Sequence, residues 1–154
     1  MELVVANRGS SSEQYERTGQ SMPLAFHASR AAKYEQQEQN AETYILPFIE
    51  RGISVGDKSV LEIGCGEGGI IEPFLRRGGT GVGVDLSPEK IAYAEKAFAS
   101  YIEEGRVEFV AGDIYDDAVS ARLEGRFDVA IMKDTIEHVY GHAKILAKIK
   151  DFLK

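Results

Sequence analysis

The residues best able to do chemistry lie in one run, Val60-Leu61-Glu62-Ile63-Gly64-Cys65-Gly66-Glu67-Gly68-Gly69. A segment suited to a strand enters a glycine-rich turn, and the residues beyond it become helical. Glycine reaches backbone conformations closed to other residues and lets a ligand approach the main chain closely. Two spacings are satisfied at once. Gly64, Gly66 and Gly69 fit G-x-G-x-x-G, which seats a dinucleotide pyrophosphate at a helix start. Glu62, Gly64, Gly66 and Gly68 fit E-x-G-x-G-x-G. Taken alone, the loop implies only a nucleotide-like ligand.

Three carboxylates narrow the choice. Glu62 sits within the strand that enters the loop, where a pyrophosphate would bring negative groups together and a ligand carrying an ammonium would not. A cationic ligand is therefore favoured. Asp85 ends the next strand about 20 residues after the loop, where a carboxylate can accept both hydroxyls of a ribose. Asp113 ends the third strand, in Val110-Ala111-Gly112-Asp113-Ile114, and can take the amino group of an adenine lying over the sheet edge. That acceptor lies outside the dinucleotide fingerprint.

These residues need a scaffold that brings several strand ends to one edge. Val60–Ile63, Gly81–Val84, Val107–Val110 and Phe127–Met132 are strand candidates, the last almost wholly apolar and suited to a buried parallel sheet. Ile91, Ala94, Phe98 and Ile102 repeat at helical spacing, as do Ile136, Val139, Ala143, Leu146, Ile149 and Leu153. A shorter helix is expected over Asp116–Leu123. Strand and helix alternating in this way predict an α/β fold, a right-handed doubly wound parallel sheet with helices on both faces. Residues 1–22 read as an N-terminal tail whose LVVA segment is a strand fragment or docks on the body. Residues 23–154 read as one domain, with N-terminal helices over 23–52, limited or kinked at Pro23 and Pro47, and a core over 57–154.

Together with Asp134-Thr135-Ile136-Glu137-His138-Val139, the ordered set VLEIGCGEG, GVDLS, AGDIYD and FDVAIMKDTIEHV closely resembles the class I S-adenosylmethionine-dependent methyltransferases, in particular small-molecule, type 11-like members. The likeness runs from about Val60 to Lys154. It implies a Rossmann-like sheet of order 3-2-1-4 that lacks strands 5–7, so the chain is expected to be a truncated domain. It also implies S-adenosylmethionine as cofactor. Glu62, Gly64, Cys65 and Gly66 would then surround the methionine moiety, with Gly68 completing the loop. Asp85 would take the ribose, Leu86 the adenine face, and Gly112, Asp113 and Ile114 the adenine edge. Lys133 would follow the fourth strand near the methionine end. Tyr15, Arg30 or Tyr34 from the N-terminal region would cover that end, and nothing in their spacing selects among them.

Methyl transfer asks little of side chains beyond alignment and exclusion of water, with a base only where the acceptor must lose a proton. His138 is the candidate base, expected in the first turn of a helix at the carboxyl end of the sheet; a capping or packing histidine is the alternative. Asp134, Glu137 and His138 fall at i, i+3 and i+4 with ligand types a divalent cation accepts. The pattern is similar to a metal-binding arrangement in some RNA 2'-O-methyltransferases and quinone-pathway O-methyltransferases. A further downstream histidine has no counterpart, and no metal is expected. Cys65 needs no role beyond being small in a glycine turn. The Glu/Gln run from Glu35 to Glu42 reads as a solvated helix face, and His27 and His142 as surface residues.

Composition sets the remaining bounds. The 154 residues, 44% apolar, suit one globular domain. No apolar run approaches the roughly 18 residues of a membrane span. The N-terminus lacks the basic start and apolar core of a secretory signal. A single cysteine excludes an internal disulfide framework and a multi-cysteine zinc site, and a cytoplasmic location is expected. A net charge of −7 repels nucleic-acid phosphates, so the expected partner is a small-molecule methyl acceptor rather than nucleic acid or membrane. A fourth strand apolar on both faces does not suit an open edge, and its exposure would invite a homodimer through that edge. Two alternatives to a methyltransferase stay open: a cofactor-binding module without turnover, and an NAD(P)-dependent oxidoreductase.

Overall fold

The computed structural model describes residues 2–6 and 29–154. Five strands, β1 (Glu2–Ala6), β2 (Ser59–Ile63), β3 (Thr80–Asp85), β4 (Val107–Ala111) and β5 (Val129–Lys133), make one parallel sheet of order β1-β5-β2-β3-β4. Its last four members give the order expected from the four predicted strands, third-second-first-fourth. Register puts Glu62 of β2 between Gly83 of β3 and Ile131 of β5, and Asp85 beside Ala111.

Alternation along the strands divides the core between the two sheet faces. Val60, Val129 and Ile131 pack with Ile45, Ile49, Ile71, Phe74 and Phe98 on one side. Leu61, Ile63, Val82, Ala130 and Met132 pack with Leu123, Ile145, Ile149 and Phe152 on the other. The β5 segment Val129-Ala130-Ile131-Met132 is buried on both faces, as its unbroken apolar run requires.

The expected open edge at β5 is corrected by the structure. β1 pairs with it from Glu2 opposite Val129 to Ala6 opposite Lys133. The physical reason is that a strand buried on both faces also needs its backbone groups satisfied on both edges. The LVVA segment supplies that edge from within the chain, so the argument for a homodimer through β5 falls away. The rest of the expected tail, including Tyr15, and the first residues of the expected N-terminal helices, including Pro23 and His27, lie outside the described residues.

Helices fill both faces. Helix α1 (Arg30–Asn40) starts at Ser29, whose hydroxyl accepts the Ala32 N–H, and continues through a π-helical stretch, Ala41–Ile45, into α2 (Leu46–Ile49). Pro47 has no N–H to give to the preceding turn, and the chain widens just before it. Beyond the glycine turn, α3 (Glu72–Arg76) is one short turn and a half; α4 (Pro88–Ala97) is capped by Ser87; α5 (Ala99–Glu103), α6 (Asp117–Leu123) and α7 (His142–Phe152) follow. Among the described residues no helix is long and apolar enough to cross a membrane.

The helix expected to begin near Ile136 is also corrected. Ile136–His138 form a single 3-10 turn, and α7 starts only after Gly141 at φ 79°. Asp134, at φ 52°, turns the chain away from β5 before that. Ile136 and Val139 keep the apolar spacing because both face the core, not because one helix joins them to α7.

Candidate active site

The glycine turn is built on the end of β3. The N–H groups of Gly64 and Cys65 both donate to the Val84 carbonyl, at 2.7 and 3.1 Å. Gly64, Gly66 and Gly68 hold φ of 75°, 56° and 85°, whereas Gly69 does not need positive φ. Its constraint is space: a Cβ there would come within 2.8 Å of the Gln37 Cβ. Of the two spacings the sequence allows, the conformational demand therefore falls on E-x-G-x-G-x-G.

Asp85 joins the turn to the strand beside it. One carboxylate oxygen accepts the Gly66 N–H and the other the Ser87 N–H, each at 2.9 Å, and Lys90 Nζ lies 3.6 Å away. Each oxygen keeps a lone pair for a further donor. Glu62 is 1% exposed, and its Oε2 has no hydrogen-bond partner among the described residues. Burial pushes its pKa well above the ordinary carboxylate range; Lys133 opposes that rise and Asp85 adds to it. A buried carboxylate whose residue lines a cleft is complementary to an ammonium donor.

The cleft itself holds about 840 Å³ at the carboxyl end of the sheet. Its walls include Glu62, Gly64, Gly66, Asp85, Leu86, Gly112, Asp113, Ile114, Lys133 and His138, so the structure brings most of the sequence-predicted residues together. Leu86 offers an apolar side chain that is 74% exposed beside the carboxylate of Asp85. Asp113 starts an Asx turn, one oxygen accepting the Tyr115 N–H at 2.9 Å, and Ile114 is buried behind it. Two predicted members stand behind the wall. Cys65 is fully buried, with its thiol held well above the ordinary range by burial. Gly68 lies against the Phe109 and Phe98 rings.

The 3-10 turn changes the neighbourhood of His138. His138 and Asp134 line the cleft, but Glu137 does not, and Asp134 pairs with Lys133. The i, i+3, i+4 face required a continuous α-helix. Among the described residues no three His, Cys, Asp or Glu side chains gather as a metal would require. Thr135 donates its hydroxyl to the Lys133 carbonyl at 3.1 Å and packs over Gly64.

Sequence reasoning missed the contribution of α1. Gln37, assigned to a solvated face, lines the cleft together with Lys33. Glu67, 2% exposed, also lines it and is held by Arg30 at 3.2 Å. Of the three covering candidates, Arg30 and Tyr34 reach the outer side of the turn. Tyr34 bonds Glu72 and meets the Phe98 ring edge-on at 5.9 Å, and Tyr15 is outside the described residues. Lys90 and Thr135 follow Asp85 and Asp134 by only a few residues and were findable by position. Gln37 gave no such signal.

The chain resembles known proteins over most of this region. The family model described as a methyltransferase domain matches residues 60–154, more than half of the sequence. A ubiquinone biosynthesis O-methyltransferase from Methylococcus capsulatus is 26% identical over 102 residues, covering 66% of this chain and 41% of that protein. The mitochondrial ubiquinone biosynthesis O-methyltransferase of Schizosaccharomyces pombe is 36% identical over 93 residues, covering 60% of this chain and 32% of that protein. The chain thus spans between about a third and a half of the length of the curated relatives it matches. Among solved structures, PKMT2 from Rickettsia typhi in complex with AdoHcy superposes with a TM-score of 0.59 at 26% identity, covering 74% of this chain and 23% of that one. The chain belongs to the methyltransferase domain family, and its fold is that of S-adenosylmethionine-dependent methyltransferases.

Proposed function

We propose that the chain methylates the hydroxyl oxygen of a small-molecule acceptor and that His138 takes the hydroxyl proton. The observation that carries this reading is the single cleft shared by Glu62, Asp85 and His138. Oxygen as the acceptor atom is supported by the O-methyltransferase names of the curated relatives. A small acceptor is supported by the excess of 25 acidic over 18 basic residues, which disfavours a phosphate polymer. One buried, free cysteine suits a reducing cytoplasm.

In this reading the Glu62 carboxylate receives the ammonium of the cofactor. Asp85 uses its remaining lone pairs for the ribose hydroxyls, Leu86 covers one adenine face, and Gly112, Asp113 and Ile114 meet the adenine edge. Lys133, with Gly64 and Gly66, borders the methionine end. The bound sulfonium supplies an electrophilic methyl. The chain then aligns the acceptor, excludes water and removes one proton, and imidazole is the side chain suited to that near neutral pH.

The test is transfer of labelled methyl from S-adenosylmethionine to hydroxylated aromatic acceptors. His138→Ala should slow turnover by about 10²–10⁴-fold, the usual range for a general base, while S-adenosylhomocysteine binds as it does to the unaltered chain. Turnover untouched by the substitution would remove His138 from the chemistry. Binding without transfer to any acceptor would identify a cofactor-binding module.

A further inference from the structure

Gln37 spans the glycine turn from outside. Its Nε2 donates to the Cys65 carbonyl at 3.3 Å, and its Oε1 accepts the Gly69 N–H at 3.0 Å. The Cys65 carbonyl also accepts the Gly68 N–H at 2.9 Å, so one side chain joins both ends of the segment that carries Gly66, Glu67 and Gly68. Asp85 is the other side chain from outside the turn that bonds its backbone among the described residues. A Cβ on Gly66 would lie 2.7 Å from the Gln37 amide, so the turn and this side chain are in close contact. The helix that delivers Gln37 buries none of its residues and is fastened mostly by polar contacts, Arg30 to Glu67, Tyr34 to Glu72 and Glu38 to Arg76. The one apolar anchor among these contacts, the Tyr34 ring on Phe98, does not involve Gln37.

We infer that Gln37 is a positioning residue for the cofactor: by bridging Cys65 and Gly69 it holds the glycine turn in the shape that binds S-adenosylmethionine. The inference rests on the cofactor site described above. The role needs a donor and an acceptor on one planar group at this reach. Glutamine supplies both, glutamate at neutral pH only accepts, and methionine offers similar length with neither strong group. The two bonds preorganise a turn whose glycines would otherwise sample many conformations, and preorganisation is realised as affinity.

The experiment compares the full 154-residue chain with Gln37→Met, Gln37→Glu and the exposed neighbour Gln36→Met. It uses calorimetric titration with S-adenosylhomocysteine and amide hydrogen exchange without ligand. Gln37→Met should raise Kd by about tenfold, the weight of one or two hydrogen bonds, and should speed exchange at Gly69. Gln37→Glu should keep Gly69 protected, because an acceptor remains, yet still bind more weakly. Gln36→Met should match the unaltered chain in both. A folded Gln37→Met chain with Kd within about twofold of the original, or an equal loss in Gln36→Met, would overturn the inference. The exchange measurement needs no ligand. Unchanged Gly69 exchange in Gln37→Met would overturn the bridge by itself, whereas failure of the unaltered chain to bind S-adenosylhomocysteine would overturn the site reading instead.

Discussion

Glu62 is held in the fold at a cost in stability. It occupies a central strand between Gly83 and Ile131, 1% exposed, with one oxygen unmatched among the described residues. Folding raises its pKa chiefly through burial. With the folded value above the ordinary one, the associated stability is fully present below the ordinary carboxylate range and is lost as pH rises through the raised value. At neutral pH the ligand-free fold therefore bears a cost that an ammonium in the cleft would relieve. Glu62→Gln is expected to stabilise the ligand-free chain by about 1–3 kcal/mol, a rise in Tm of roughly 2–4 °C for each kcal/mol, and to weaken S-adenosylhomocysteine binding. Thermal denaturation with and without that ligand checks both; a lower Tm with unchanged affinity would contradict the account. Glu62, Asp85 and Asp113 were legible in the sequence because each sits at a fixed place relative to a strand end. Gln37 was not, because polar residues on an exposed helix carry no mark of which one turns toward a neighbouring loop.

At the level of elements, α1 and the π-helical stretch are tied to the end of α3 by ions rather than by burial alone. Glu42 accepts hydrogen bonds from Arg77 at 2.8 and 3.0 Å and from Arg76 at 2.9 Å. The Arg77 bonds lead in holding its carboxyl down to about 2, against a smaller opposing effect of burial, with Arg76 adding to the fall. A depressed folded pKa gives stability that is present above the ordinary carboxylate range and is lost as pH falls through the depressed value. The urea midpoint should therefore fall as pH drops from about 4.5 towards about 2, and less steeply in Glu42→Gln. Parallel profiles for the two chains would show that this junction adds nothing. The four core strands were legible because runs such as Val129–Met132 need burial on both faces, whereas their order came from the family resemblance. Helix continuity was not legible. Apolar spacing reports which side of a segment meets the core, and Ile136 and Val139 meet it across a 3-10 turn and the break at Gly141 as well as they would on one helix.

Across the whole molecule, the sheet edge and the cleft are set by the same strand. β5 carries Lys133 to the cleft and is paired on its outer side by β1. Deleting residues 1–6 should uncover an edge whose strand is buried on both faces, and such edges associate. Sedimentation over a range of concentrations should show more self-association than in the unaltered chain; identical profiles would contradict the edge-covering role of β1. Why the LVVA segment takes that place was only half legible, since its residues suit a strand but name no partner. The central claim concerns the cleft at the carboxyl end of this sheet, and calorimetric titration of the chain with S-adenosylhomocysteine tests it most directly. The account predicts saturable binding that is lost in Asp85→Ala, with no competing affinity for a nicotinamide dinucleotide. A folded chain that preferred the dinucleotide, or that bound S-adenosylhomocysteine equally well without the Asp85 carboxylate, would contradict it.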